Sequence, residues 1–202
     1  MLAALTVLAD EKAVKKAWNF DGDAPGAAPK GLRGEVGEWK VVADPSAPSK
    51  GNVLLQSAKS SGPTFNVALV EEPGYRDLDL TVKLKAVDGK IDQGGGVIWR
   101  AKDTKNYYIA RYNPLEDNFR VYKVENGKRT QLKTADIDKR VEGWHTLRVT
   151  MKGDQIECSL DGKKLLEAKD STFPDAGEIG LWTKADAQTH FDDLSVELLA
   201  GG

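Results

Sequence analysis

The sequence has one cysteine, two histidines and no long apolar run. Cys158 lies in QIECSL, where apolar and polar residues alternate, and a cysteine in such a pattern is usually a small buried residue. A membrane-spanning helix needs about 20 consecutive apolar residues, so none is predicted. The 29 basic residues nearly balance the 31 acidic ones. No basic cluster is present to bind a phosphate backbone, so we expect no nucleic-acid partner.

The motifs of several enzyme classes are also missing. The chain has no G-x-S-x-G elbow, P-loop or zinc-type Cys/His spacing. A retaining glycosidase needs two carboxyl groups about 5 Å apart. Asp77 and Asp79 alternate along one strand, but they belong to a Lys-rich, solvated face, and Glu116 and Asp117 are neighbours in a connector. A classical glycosidase is therefore disfavoured.

What the sequence does contain is a series of short strand patterns. The clearest, DLDLTVKLKAV, alternates between apolar and polar or charged residues, which predicts a strand with one face in the core and the other on the solvated side of a packed sheet. Asn126-Gly127 and Asp161-Gly162 are favoured type I′ hairpin pairs. About a dozen such strands, with turns at the spacing of a sandwich, predict an all-β fold of two antiparallel sheets. We expect a single domain over residues 17–199.

The N-terminal residues 1–16 are predicted to be a signal-peptide remnant or a disordered lead-in. Met1 to Ala9, MLAALTVLA, resembles the apolar part of a secretory signal without its basic segment. This pattern predicts a secreted or periplasmic protein. The alternative is a short apolar segment that packs on the domain.

The stretch from Gly94 to Val124 predicts three consecutive strands, GGVIWRA, YYIARYN and FRVYKV. The period of two places Arg111 and Asn113 on one side of the second strand, and Arg120 shares a face with Tyr122 on the third. Such a face suits a neutral polar ligand, so these four are the main ligand-binding candidates. Further candidates are Gln93, Trp99, Trp182 and Lys184. The two Trp residues are core by default, but on a concave face their rings would offer platforms for sugar C–H groups.

The two histidines have different contexts. His145 shares a face with apolar residues and is predicted to be a structural, hydrogen-bonded histidine. His190 shares a face with Asp192, and a carboxylate beside an imidazole can orient it for acid–base chemistry or share a metal. The alternative is a polar pair on the rim of the last strand.

A calcium site is a further expectation. Asp21 ends the first strand and Asp193 lies in the last one. First and last strands are often neighbours in jelly rolls, so these oxygens are predicted to meet around a hard cation. No other cofactor is expected.

Several motifs together resemble a known family. They are the strand WHTLRV, the turn in DGKKLLE, the three consecutive strands from Gly94 to Val124, and the closing pair GEIGLWTK and THFDDLSV. From about Trp18 to Leu198 the chain resembles a concanavalin-A-like, or laminin-G-like, jelly-roll sandwich. It is similar to exported bacterial proteins with a 3-keto-disaccharide hydrolase-type domain. The resemblance implies carbohydrate binding, or cleavage of an oxidised (3-keto) glycoside by an acid/base residue.

Three hypotheses follow. The first is an exported, monomeric domain that binds a carbohydrate on a concave sheet face. The second is a 3-keto-glycoside hydrolase or lyase with His190 and Asp192 as catalytic residues. The third is a structural or protein-interaction sandwich, in which the Arg111 face is covered by a loop or by a partner chain.

Overall fold

A computed structural model describes residues 15–72, 74–137 and 142–199. These residues form fifteen β-strands, and all strand pairs within the two sheets are antiparallel. Among them, no helix has the length and apolar character to cross a membrane. The predicted signal-like stretch lies outside the described residues. Strand β1 begins at Lys15, two residues before the predicted domain boundary.

One sheet has eight strands, in the order β13-β12-β11-β6-β15-β4-β3, with β1 paired to β15. Its strands are β1 (Lys15–Trp18), β3 (Trp39–Ala43), β4 (Asn52–Gln56), β6 (Leu78–Asp88), β11 (His145–Lys152), β12 (Gln155–Leu160), β13 (Lys163–Lys169) and β15 (Gln188–Leu198).

The other sheet has seven strands, in the order β10-β9-β8-β7-β14-β5-β2. Its strands are β2 (Leu32–Val36), β5 (Phe65–Val70), β7 (Gly95–Asp103), β8 (Asn106–Asn113), β9 (Asn118–Glu125), β10 (Lys128–Asp136) and β14 (Glu178–Lys184). The predicted all-β sandwich of two antiparallel sheets is confirmed.

The main core lies between the two sheets, where the inward residue of each alternating pair is apolar. In β6 every second residue from Leu78 to Leu84 is fully buried, as the sequence pattern predicts. Cys158 is a free, buried cysteine of this core, which confirms its prediction. The core rings that are at most 2% exposed are those of Trp99, Tyr108, Tyr112, Phe119 and Phe191. Burying each of these side chains contributes about 1.5–3 kcal/mol.

A second apolar cluster lies on the opposite, outer surface of the seven-stranded sheet. Its fully or almost fully buried members are Val67, Leu69, Ile98, Ala101, Tyr107, Ile109, Tyr122, Val124 and Trp182. An outer sheet face usually carries solvated polar residues. We call this surface the aromatic face, and define it by Tyr107, Tyr122 and Trp182. Strand β8 is consequently buried on both sides over almost its whole length.

Glycines at the start of β7 let the chain approach β8 closely. Gly94 has a φ of +74°, and a Cβ on Gly96 would lie 1.8 Å from the carbonyl oxygen of Ala110. Any side chain at Gly96 would therefore clash with the backbone of β8. The close approach leaves Asp92, just before this run, beside the end of β8.

Candidate functional site

The candidate site begins with Asp92, which the β6–β7 connection holds at one end of the aromatic face. The Asp186 carboxylate fixes this connection by accepting hydrogen bonds from the backbone N–H groups of Lys90, Ile91 and Asp92, at 2.8–3.2 Å. With three backbone donors bonded to one side chain, the loop has little freedom. The position of the Asp92 carboxylate is therefore set by the loop before any ligand arrives.

Asp92 forms a buried ion pair with Arg111 of β8. Its Oδ1 accepts hydrogen bonds from Arg111 Nη2 and from Asn113 Nδ2, each at 2.9 Å. Its Oδ2 lies 3.3 Å from the Lys184 ammonium. The side chains of Arg111 and Asp92 are only 1% and 2% exposed. This pair therefore forms the base of the site, beneath the groups that solvent reaches.

Glu116 links the buried base to the accessible rim. Its Oε2 lies 3.4 Å from Arg111 Nη1 and 3.2 Å from Arg120 Nη1, so one carboxylate bridges two arginines that face each other across β8 and β9. Asn113 Oδ1 accepts hydrogen bonds from the backbone of Leu115 and Glu116 and so fixes the connector. The side chain of Glu116 is 43% exposed. It can therefore bond to a ligand.

Arg129 of β10 lies across the aromatic rings. Its guanidinium carbon is 4.3 Å from the ring centre of Tyr122, 5.5 Å from Phe65 and 5.7 Å from Trp182. Such contacts hold a cation against aromatic faces. The Trp182 indole N–H donates to the Tyr107 hydroxyl at 3.1 Å. The rings beneath Arg129 are thus fixed in place.

Two hydrogen-bond donors of the site have no partner among the described residues. They are Arg111 Nε and Arg129 Nη1, and both atoms are buried. An unpaired buried donor costs about 1–3 kcal/mol. Because both atoms are inaccessible to solvent, a ligand oxygen would accept from either one only after the side chain moved, and that contact would recover this free energy.

Burial shifts the pKa values of the site in predictable directions. It raises the pKa of Asp92, although the charges of Arg111 and Lys184 oppose the change. It also lowers the pKa of Arg129. For Glu116 burial acts upward, but the hydrogen bond from Asn118 and the two neighbouring arginines outweigh it and lower the pKa. The site therefore presents an ionised carboxylate at its rim and a desolvated ion pair at its base.

The structure brings six of the predicted ligand-binding residues together. The alternation predicted for β8 and β9 is confirmed, since Tyr107 and Tyr122 lie on the aromatic face while Tyr108 and Phe119 point into the core. The six residues on or beside the aromatic face are Arg111, Asn113, Arg120, Tyr122, Trp182 and Lys184.

Two predicted residues lie elsewhere. Trp99 is fully buried between the sheets, where it stacks on Tyr108 and contacts Met151 Sδ at 3.0 Å. The expectation that it lines the ligand face is corrected, because the alternation of β7 turns Trp99 and Val97 inward. Gln93 follows Asp92 directly but lines a different cavity, together with His190.

The predicted pairing of His190 with Asp192 is also corrected. His190 Nδ1 bonds to Asp44 Oδ2 at 2.7 Å. Asp192 is fully buried, and its carboxylate accepts from the backbone N–H groups of Ser49 and Asp193. The segment that contains Asp44 and Ser49 covers this part of β15. Asp44 of this segment therefore provides the carboxylate that bonds to His190, and the backbone of Ser49 bonds to the carboxylate of Asp192.

His145 has the structural role that its pattern predicts. It is 5% exposed, with Nδ1 bonded to Asp161 at 2.7 Å and Nε2 bonded to the Tyr112 hydroxyl at 3.1 Å.

The two predicted calcium ligands are engaged in other contacts. Asp21 accepts from Ser49 Oγ and from the backbone of Asn52, while Asp193 pairs with Lys83 at 2.8 Å. Within residues 15–72, 74–137 and 142–199, no three His, Cys, Asp or Glu side chains are grouped to hold a metal ion.

Three residues of the site were missed from the sequence: Asp92, Glu116 and Arg129. For Arg129 a signal existed. A two-residue turn at Asn126-Gly127 pairs Arg129 with Val124, and this pairing places both on the face of Tyr122. For Asp92 and Glu116 the only signal was their position in the connectors that flank β7 and β8.

Comparisons with known proteins agree with this architecture. The profile of a family described as a 3-keto-alpha-glucoside-1,2-lyase-like domain matches residues 5–197. A levanase of Bacillus subtilis (strain 168) is 27% identical over 146 residues, which cover 70% of this chain and 20% of the levanase. The chain thus spans about a fifth of the length of this curated relative.

Two solved structures show the same fold. A carbohydrate-binding module, CBM66 from Bacillus subtilis, has a TM-score of 0.68 at 24% identity and covers 83% of this chain and 95% of its own. The exoplasmic/lumenal domain of VIP36, in a Ca²⁺- and mannose-bound form, has a TM-score of 0.64 at 10% identity and covers 92% of this chain and 91% of its own. At these identities the likeness concerns the fold alone.

Proposed function

The chain belongs to the family of 3-keto-alpha-glucoside-1,2-lyase-like domains, and from this premise and the site geometry we propose that it binds a neutral glycan on its aromatic face. The observation that carries the proposal is the buried pair Asp92–Arg111, with Arg129 beside it, on an outer sheet surface. Charges on such a surface normally remain in water. Here they are desolvated, and two of their N–H groups have no acceptor among the described residues.

The residue types suit sugar hydroxyls. Glu116 accepts hydrogen bonds, while Arg120, Arg129 and Lys184 donate them, so vicinal hydroxyl groups can bond to both kinds of partner. The rings of Tyr122 and Trp182 are 3% and 0% exposed, so their role is to hold the Arg129 guanidinium above them in place. Arg111 and Asp92 hold these groups from below. The levanase relative and the CBM66 likeness support the same class of ligand.

Calorimetric titration with levan and with a panel of other neutral polysaccharides tests the proposal. We expect a Kd between about millimolar and micromolar, or roughly 4–8 kcal/mol. Arg129→Ala should weaken binding at least about tenfold, because about 1.4 kcal/mol corresponds to that factor. The matched control is Arg148→Ala on the eight-stranded sheet, which should bind like the wild type.

Arg111→Ala is a less useful variant, because it leaves the Asp92 carboxylate buried without its main partner. Loss of binding in that variant would not separate recognition from folding. If Arg129→Ala binds every polysaccharide as tightly as Arg148→Ala and the wild type do, the aromatic face is not the binding surface.

Catalysis on a 3-keto-glycoside is the second candidate, and the description of the family favours it. We test it with 3-keto-disaccharides in the presence and absence of EDTA, which also tests the calcium predicted at Asp21 and Asp193. Turnover that is lost in His190→Ala would support an enzyme. No turnover under either condition would remove this candidate.

We also propose that the protein acts outside the cytoplasm, as the apolar stretch Met1 to Ala9 predicts. Fractionation of cells that express the full gene tests this location. The structural or protein-interaction hypothesis would gain support if no glycan bound and a partner chain protected the aromatic face. The predicted monomer is checked by light scattering of the same preparation.

A further inference from the structure

A cavity of about 520 Å³ lies beside the last residues of β6 and β8, separate from the aromatic face. Its lining includes His190, Lys85, Gln93, Glu142 and Pro114. Cavities that bind small molecules usually have volumes of about 300–1,000 Å³. The cavity is therefore large enough for a small ligand.

Consecutive residues serve the two sites. Asp92 belongs to the aromatic face, and Gln93 lines the cavity. On β8, Arg111 belongs to the aromatic face, while Tyr112 lines the cavity. Residues 92–93 and 111–112 therefore contribute to both sites, with one residue of each pair in the aromatic face and the other in the cavity wall.

His190 is oriented so that it accepts a hydrogen bond inside the cavity. Its Nδ1 lies 2.7 Å from Asp44 Oδ2. The Asp44 carboxylate also accepts from Lys85, whose Nζ bonds to Ser46 Oγ at 2.8 Å, and the pKa of Asp44 lies below its usual value despite the burial that acts to raise it. An ionised carboxylate only accepts, so Nδ1 carries the imidazole proton. Nε2 then has a free lone pair.

The environment of His190 keeps the imidazole neutral. Burial lowers the pKa of His190, and Asp44 opposes this effect without reversing it. A neutral ring with its proton on Nδ1 cannot donate from Nε2. No protein group bonds to Nε2 among the described residues. Since His190 lines the cavity, a ligand that donates a hydrogen bond fits this position.

The other polar groups of the cavity also favour a ligand that donates hydrogen bonds. Gln93 uses its Nε2 to donate to the Gly89 carbonyl at 2.8 Å, so its side-chain oxygen is left to accept. The Glu142 carboxylate is a further acceptor, while the Lys85 ammonium has one N–H group left after its bonds to Asp44 and Ser46. Acceptors thus outnumber free donors. A carboxylate or phosphate ligand would be disfavoured.

Ala86, Val87 and Pro114 supply apolar lining, and Tyr112 and Gly143 complete the wall. A molecule with one apolar face and several hydroxyl donors matches both halves of the cavity. We infer that this cavity is a second sugar-binding site, in which a hydroxyl group of the sugar donates to His190 Nε2. The inference shares only its ligand class with the proposed function, and uses none of the residues on the aromatic face.

The two histidines make a direct test available, because each has a distinct environment. In His145 both nitrogens are bonded within the protein, to Asp161 and to Tyr112, whereas His190 Nε2 faces the cavity. Long-range ¹H–¹⁵N NMR spectra of the imidazoles resolve both residues. In the free protein we expect His190 to show a protonated Nδ1 and an unprotonated Nε2.

The probes are D-glucose, D-fructose and sucrose, each titrated to about ten times a millimolar Kd. We expect at least one of them to shift the His190 Nε2 signal along a saturating curve, with the His145 signals unchanged. Gln93→Ala should weaken this response at least about fivefold, while Arg129→Ala should leave it unchanged. The second variant separates the two sites, because it weakens binding to the aromatic face alone.

Three results would overturn the inference. The first is a protonated Nε2 on His190 in the free protein. The second is a His190 signal that none of the three sugars moves. The third is an equal shift of His190 and His145, which would report a general effect of the solvent.

Discussion

The outer faces of the two sheets follow the same alternation of residues but have opposite characters. On the eight-stranded sheet, the outward residues form ion pairs in solvent, such as Arg148 with Asp79 and Lys83 with Asp193. On the seven-stranded sheet, the outward residues are buried rings, together with an Asp92–Arg111 pair that is almost inaccessible to water. The sandwich therefore has one solvated surface and one desolvated surface.

This difference is the reason for proposing a binding site on the seven-stranded sheet. Desolvating an ion pair costs several kcal/mol per ion, and well-packed apolar residues of similar volume often give equal or greater stability. The Asp92–Arg111 pair is thus not explained by stability alone. The proposed glycan site would account for these charges as a preorganised set of donors and acceptors.

The largest expected effect is on stability. Asp92→Ala would leave the buried Arg111 guanidinium without its main counter-charge, and should lower the free energy of unfolding by about 3–5 kcal/mol. Asp79→Ala breaks a pair in which Arg148 is 54% exposed, so the loss should be at most about 1 kcal/mol. Urea denaturation measures both variants. Equal losses would mean that the two faces do not differ in the way described.

The next effect concerns ligand affinity. Glu116→Gln keeps the shape of the side chain but removes its charge, and a hydrogen bond to a charged group is worth about 1.5–3 kcal/mol. We therefore expect glycan binding to weaken about tenfold or more. Glu157→Gln is the matched variant on the eight-stranded sheet, where Glu157 is half exposed beside Lys164. Calorimetry with the same glycan should show no change for it.

A smaller effect should appear in the pH dependence of stability. Burial lowers the pKa of His190 below its ordinary value of about 6.5. On acidification the unfolded chain therefore takes up this proton before the folded chain does, and stability falls as the pH decreases from about 6.5 towards the folded pKa. Above that range His190 contributes no pH dependence.

The variant His190→Gln should flatten the stability curve between about pH 7 and pH 5.5, where few carboxyl groups titrate. Urea midpoints measured across this range test the effect. An unchanged slope would show that His190 gains its proton as easily in the folded chain as in the unfolded chain.

The smallest effect is expected for Lys83→Ala. Its partner Asp193 is 35% exposed, and a solvated pair of this kind contributes about 0–1 kcal/mol. Thermal unfolding should shift little, and glycan affinity should stay the same. A large loss of affinity in this variant would indicate that the ligand binds to the eight-stranded sheet instead of the aromatic face.

The sequence predicted much of this arrangement, because side-chain parity is a local property. Alternation alone placed Arg111 and Asn113 on one side of β8, and Arg120 with Tyr122 on one side of β9. The inward direction of Trp99 follows the same alternation. Alternation alone does not say which face of a strand lies in the core, so the sequence left both the core and the ligand face open for this ring.

The remaining features depend on contacts between distant segments. His190 bonds to Asp44, 146 residues away in the sequence, and Asp186 fixes a loop more than 90 residues before it. No local pattern encodes such pairs. Arg129 combines both cases. The hairpin turn determines the face on which its side chain lies, whereas the rings that it contacts come from three other strands.

The most direct test of the account is an NMR titration of the arginine Nε–H and tryptophan indole signals with a glycan that binds. The account predicts that the signals of Arg111, Arg129 and Trp182 shift with saturation, while those of Arg148 and Trp99 stay in place. The opposite pattern, with Arg148 responding and the aromatic face silent, would contradict it.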